Sequence, residues 1–210
     1  MFIGHFAVAE ALQQAAPEVP LWVSLTGVSF PDLMFGLTVV AGIEQVEINP
    51  SSPLIRDVRF VRYPYSHSLV LTNLIACIPA AVIGYFYGSV AAIVFLAASI
   101  SHWLLDTIVH LPDLPVLGFG DDMKVGFGLW RYGGLAFAVE YLLLAAATVI
   151  FVPRQAWAPA LVAGALLHAL NANAFFGFTK TNPGKSATQL ALMTLFGFIV
   201  AIVAFQWALS

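Results

Sequence analysis

Charge is scarce in this chain: 9% of its 210 residues are Asp, Glu, Lys or Arg, 60% are hydrophobic, and the mean hydropathy is +0.91. Soluble domains carry about 25% charged residues, so a surface that meets water on every side is excluded. The net charge of −3 supplies no basic field for a nucleic-acid partner. Cysteine is nearly absent, and the lone Cys77 excludes an intramolecular disulfide. No Lys or Arg precedes the first apolar stretch, so the start does not read as a cleaved signal peptide and His5 is expected in the mature protein. Repeats, low-complexity tracts and flexible linkers are lacking too. A length of 210 then suits one membrane domain, with a metal-site half at about 1–113 and a three-helix half at about 133–210.

What is present is apolar sequence in long runs. A hydrocarbon core of about 30 Å needs about 20 apolar residues per helix. Runs at about 68–88, 89–111, 133–152 and 188–209 meet this, and 157–178 does so despite His168, Asn171 and Asn173. Residues 2–16 read as a short apolar helix. The stretch 21–43 is long enough to span but holds Ser29-Phe30-Pro31-Asp32, and Pro and Asp suit a helix's first turn, so two half-helices meeting near Pro31 are expected. The fold class is an all-α, polytopic integral membrane bundle of about five to six spans, with a short N-terminal helix and a Pro-broken helix.

Orientation follows from the basic residues. Arg56, Arg59 and Arg62, then Lys124 and Arg131, then Lys180 and Lys185 fall in the loops 44–65, 112–132 and 179–187, whereas Arg154 falls opposite. Alternating helices put these three loops on one side, which the positive-inside rule makes cytoplasmic. Trp130 and Tyr132 are expected at one interface, and Trp22, Trp157 and Trp207 at the other.

Ionisable residues within spans are costly and mark function by default. Here they are Asp32, His102, Asp106, Glu140 and His168, with His5 and His67 near span ends. In Ser101-His102-Trp103-Leu104-Leu105-Asp106, a spacing of four puts His102 and Asp106 on one helix face. They read either as ligands to one cation or as a hydrogen bond holding two helices. His67 in Tyr65-Ser66-His67-Ser68 and Asp32 after Pro31 add donors at a similar depth, and two His with two Asp suffice for zinc or manganese. His5 reads as a ligand to a second metal bridged by Asp106, or as an interfacial residue. His110, just before Pro112, reads as a solvated histidine at a helix end. Glu140 and His168 read first as outer partners that orient the ligands, and otherwise as a general base or an internal polar pair. Arg56, Arg59 and Arg62 read as lipid-facing charges, with Arg62 a weaker candidate for binding substrate phosphate.

Gly4-His5, Phe30-Pro31-Asp32, Tyr65-Ser66-His67-Ser68 and Ser101-His102 through Asp106, in that order, resemble the YdjM-like family of membrane-bound, predicted metal-dependent hydrolases. The order His, Asp, His, His-x-x-x-Asp is also similar to the ligand order of zinc-dependent phospholipase C. The resemblance spans about residues 1–113. It implies one metal at Asp32, His67, His102 and Asp106, a second at His5 with Asp106 bridging, and a cell (inner) membrane location. This chain departs from the pattern at Met34, where the YdjM-like family often has a second acidic residue, and it lacks the His-x-x-x-Glu pair of the phospholipase.

The expected function is a membrane-embedded hydrolase using one or two divalent ions. Its substrate is a phosphoester or lipid headgroup at the cytoplasmic face, and Asp32 or Asp106 bridges metals or takes the proton. The alternatives are a metal or small-ion transporter, and a scaffold with a structural metal. The expected partners are the lipid bilayer and a phospholipid or lipid-linked substrate, with no nucleic acid.

Overall fold

The structure is a computed structural model and describes residues 1–210. A 3-10 turn, Ile3–His5, leads into α1 (Phe6–Ala15) and α2 (Leu21–Val40). After a short antiparallel pair, β1 (Gln45–Glu47) and β2 (Arg59–Arg62), come α3 (Pro64–His67), α4 (Leu71–Tyr87) and α5 (Ser89–Val109). A second small pair, β3 (Leu114–Pro115) and β4 (Lys124–Val125), precedes α6 (Gly133–Phe151), α7 (Trp157–Leu170), α8 (Asn173–Phe176) and α9 (Ala187–Leu209).

Four helices, α2, α5, α6 and α9, are long and apolar enough to cross a membrane, fewer than the five to six expected. The 17 residues of α4 cover about 26 Å at 1.5 Å each, and the 14 of α7 about 21 Å, against a core of about 30 Å. The stretch 157–178 fails as one span because α7 stops at Asn171. The short α8 follows, and its Asn173 side chain accepts the Thr179 backbone N–H beyond it at 3.0 Å. Large apolar side chains on α4 (Leu74, Ile78, Val82) and α9 (Phe196, Ile199, Val203, Trp207) face outward in stripes. Such continuous apolar faces suit lipid rather than water.

At the centre stands α2, buried over 61% of its apolar window where α9 is buried over 22%. The expected break at Pro31 does not occur, and α2 runs through it. Proline withholds the N–H that the Gly27 carbonyl would receive, but packing against α5 and α9 holds the helix together. Two side chains reinforce the same turn: Ser29 donates to the Leu25 carbonyl at 2.8 Å, and His102 Nδ1 meets the Val28 carbonyl at 2.7 Å. A Cβ on Gly27 would lie 2.6 Å from Ala98 Cβ, so only glycine lets α2 and α5 approach this closely.

The three basic loops lie together. Asn182 N–H donates to the Pro50 carbonyl at 3.1 Å, and Arg56 to the Arg131 carbonyl at 3.1 Å. This common side is the loop end of the bundle. Trp130, expected at the membrane interface, is instead buried over His110, with ring centroids 4.2 Å apart.

Candidate metal centre

Asp32, His67, His102 and Asp106 converge near the loop end. His102 Nε2 lies 3.1 Å from Asp106 Oδ2 and 3.5 Å from Asp32 Oδ2, and His67 Nε2 lies 3.6 Å from both Asp32 Oδ1 and Asp106 Oδ2. His5 joins from the N-terminal turn, its Nε2 3.2 Å from Asp106 Oδ1 and its ring stacked on His102 at 3.7 Å. Two overlapping donor sets result, His5/His102/Asp106 and Asp32/His67/His102. His102 belongs to both.

The sequence alone left His102–Asp106 between a hydrogen bond and a ligand pair. Donor geometry favours the second. His102 Nε2 and both ring nitrogens of His5 are buried with no hydrogen-bond partner. Leaving such a group unsatisfied costs about 1–3 kcal/mol. Atoms bound about 2.1 Å from a tetrahedral ion stand about 3.4 Å apart, and the separations here, 3.1 to 3.6 Å, scatter around that spacing. The cluster can therefore hold a divalent metal ion.

Neighbouring groups aim the rings. The Val28 carbonyl takes Nδ1–H of His102 and leaves Nε2 as the lone-pair donor, and the Ser66 hydroxyl holds the His67 ring through Nδ1 at 2.8 Å. Glu44, which sequence reasoning overlooked, sits buried beneath α3. It accepts the N–H groups of Tyr65 at 2.8 Å and Ser66 at 3.0 Å, together with the Thr38 hydroxyl. A carboxylate satisfying free N–H groups at the start of a helical turn fixes the position of His67. The only signal for it in the sequence was an acidic residue directly after an apolar span.

His110 corrects the expectation of a solvated helix end. It is 2% exposed, with Nε2 3.7 Å from Asp106 Oδ2 and Nδ1 3.1 Å from Asp113 Oδ1. Burial draws it below the ordinary histidine range, against the opposing pull of Asp113 and Asp106. Tyr63 donates to Asp113 at 3.1 Å. Burial and the Asp113 carboxylate push the Tyr63 hydroxyl well above its usual range, so it remains a phenol. The loop after Pro112 folds back rather than outward, with Gly128 N–H donating to the His110 carbonyl at 2.7 Å.

The remaining candidates divide. Glu140 is buried beside the cluster, accepts the Phe2 N–H at 2.8 Å through Oε2 and leaves Oε1 without a partner. The Met1 nitrogen pairs with Asp106. His168 lies elsewhere: its Nε2 bonds the Phe137 carbonyl at 2.8 Å and its ring stacks on Phe137, which braces α6 against α7 instead of orienting a ligand. Arg62 is exposed on β2, opposite Gln45. The basic side chains Arg56, Arg59 and Lys124 instead line an outer cleft of about 400 Å³ that shares Asp113 with the His110 network. A second cavity, of about 410 Å³, opens directly on Asp32, His67, Asp106 and His110.

Fold and site thus define an all-helical bundle, four of its helices long and apolar enough to cross a membrane, built around a buried His/Asp centre able to hold a metal ion. Compared with family models, with curated proteins and with solved structures, the chain shows no match.

Proposed function

We propose that the protein is a membrane-embedded, metal-dependent hydrolase of a phosphoester, working at the cytoplasmic face of a cell membrane. The observation that carries this reading is the joining of two overlapping donor sets to a cavity of about 410 Å³ large enough for a substrate group. Asp32, His67, His102 and Asp106 would hold one divalent ion, and His5 with Asp106 a second; imidazole and carboxylate donors suit zinc first and manganese next. The ion supplies Lewis-acid activation of water and neutralises charge on a phosphoryl oxygen.

The chain's own residues do the rest. Val28, Ser66 and Glu44 hold the ligand rings in place, so the site does not reorganise during reaction. In hydrolysis the water oxygen forms the new P–O bond, the ester P–O bond breaks, and the water's proton reaches the departing alkoxide. His110, between Asp106 and Asp113 on the cavity wall, is placed to carry that proton.

The transporter alternative uses the same His/Asp cluster, but the helix break at Pro31 that would favour it is absent, since α2 is continuous. The scaffold alternative calls for a closed site, whereas a cavity adjoins this one. The test is turnover of a soluble chromogenic phosphoester by metal-loaded purified protein. Activity that disappears with chelator and in His102→Ala is expected. No turnover with any divalent metal, or full turnover in His102→Ala, would overturn the reading.

A further inference from the structure

The cavity beside the metal centre does not end in the protein. Its floor is polar, with Asp32, His67, Asp106 and Glu140, and its opposite wall is built by the end of α7 and the first half of α9. There Leu170 is 83% exposed and Phe196 70% exposed, so the same cavity that touches the ligands reaches the outer apolar surface. Met193 and Phe196 lie six and nine residues into α9, about 9 and 14 Å along its axis at 1.5 Å per residue. Asp106 and His102 lie three and seven residues from the end of α5, and Asp32 eight from the end of α2, about 5, 11 and 12 Å by the same measure. All these distances are taken from the loop end, so the ligands and the opening lie at overlapping depths in the bundle.

Two further observations say what fits. Glu140 Oε1 and Trp130 Nε1, both buried on the cavity wall, face one another as acceptor and donor and make a polar pair beside the ligands. At Gly197, also on the wall, a Cβ would meet nothing within 4 Å, which leaves a free channel along α9. A solely water-borne substrate needs no opening toward the lipid-facing side.

We infer that this cavity is a lateral entrance for a membrane phospholipid, whose head reaches the metal centre while its acyl chain leaves between α7 and α9. The inference rests on the hydrolase reading and deepens it by naming the substrate class and its route.

Full-length protein is reconstituted in phosphatidylglycerol vesicles in which part of the lipid carries a diazirine on an acyl chain, irradiated, and its adducts mapped by mass spectrometry. Adducts are expected on the inward residues Leu167 and Thr194, as well as on outward Val203 and Trp207. Gly197→Trp fills the channel and lowers the inward adducts about tenfold while leaving the outward ones, which also report folding. Leu167→Trp, which narrows the same channel from α7, lowers the labelling of Thr194 likewise and covers the case in which Gly197→Trp does not fold. Adducts confined to outward residues, or inward adducts unchanged in both variants, overturn the entrance. Inward adducts without turnover of any phosphoester keep the entrance and remove the hydrolase. Turnover of a soluble phosphoester without inward adducts does the reverse.

Discussion

Asp106 is surrounded by imidazoles: His5, His67, His102 and His110 all present Nε2 within 3.7 Å of its carboxylate. The Met1 nitrogen pairs with the same carboxylate, and His102 Nε2 and both ring nitrogens of His5 are still left without a hydrogen-bond partner. A metal ion would supply that partner. His102, shared by both donor sets, is then the residue whose loss matters most. His102→Ala is expected to lower bound metal at least about tenfold by elemental analysis of purified protein, the usual range for ligand and near-ligand losses being about 10–100-fold. Glu44 touches no donor of either set but fixes the backbone of α3. Glu44→Ala should weaken metal binding through His67, whereas Glu44→Gln retains one acceptor oxygen and should recover part of the affinity. Competitive titration with a chromogenic chelator separates the two. Equal loss in both variants would point to charge rather than positioning.

At the scale of elements, the centre depends on how closely α2 and α5 approach. Both run toward the loop end, and the contact of Gly27 with Phe95 and Ala98 sets the spacing that brings Asp32 to His102 one to two turns further on. Gly27→Leu must push the helices apart, since its Cβ alone would lie 2.9 Å from the Phe95 carbonyl oxygen. The expected cost is about 1–3 kcal/mol, typical of overpacking, with metal affinity falling in parallel. Thermal unfolding in detergent, monitored with and without metal, checks both. Element placement also explains what was readable from sequence. Asp32, His102 and Asp106 stood out because each is a polar group inside an apolar run, and a spacing of four is a helical neighbour relation. His110 was misread because Pro112 signals the end of a helix but not the return of the next loop onto it. Pro31 was misread because proline's local effect was offset by α5 and α9, contacts distant in sequence. Glu44 gave no periodic signal, since its partners are backbone N–H groups about twenty residues away.

For the molecule as a whole, the all-helical class and the apolar helices were legible from composition and run length. The span count was not, because a hydropathy window cannot see α7 end at Asn171 and the separate short helix α8 begin at Asn173. The metal links site and fold. Donors on the N-terminal turn, α2, α3 and α5 meet at one place, so an ion held there ties together four segments that the apolar packing alone need not hold in register. Binding only to the folded state stabilises it by about 2.7 kcal/mol when free metal is 100 times its dissociation constant. For a chain of this length that corresponds to a rise in Tm of about 5–10 °C. Chelation should therefore lower the Tm of the purified protein by that amount, and zinc or manganese should restore it. In His102→Ala the same additions should move the Tm little, because the shared ligand is gone. A Tm insensitive to chelator in the wild type, in protein shown to carry metal beforehand, would place the ion outside the helical core and sever the link between this cluster and the fold.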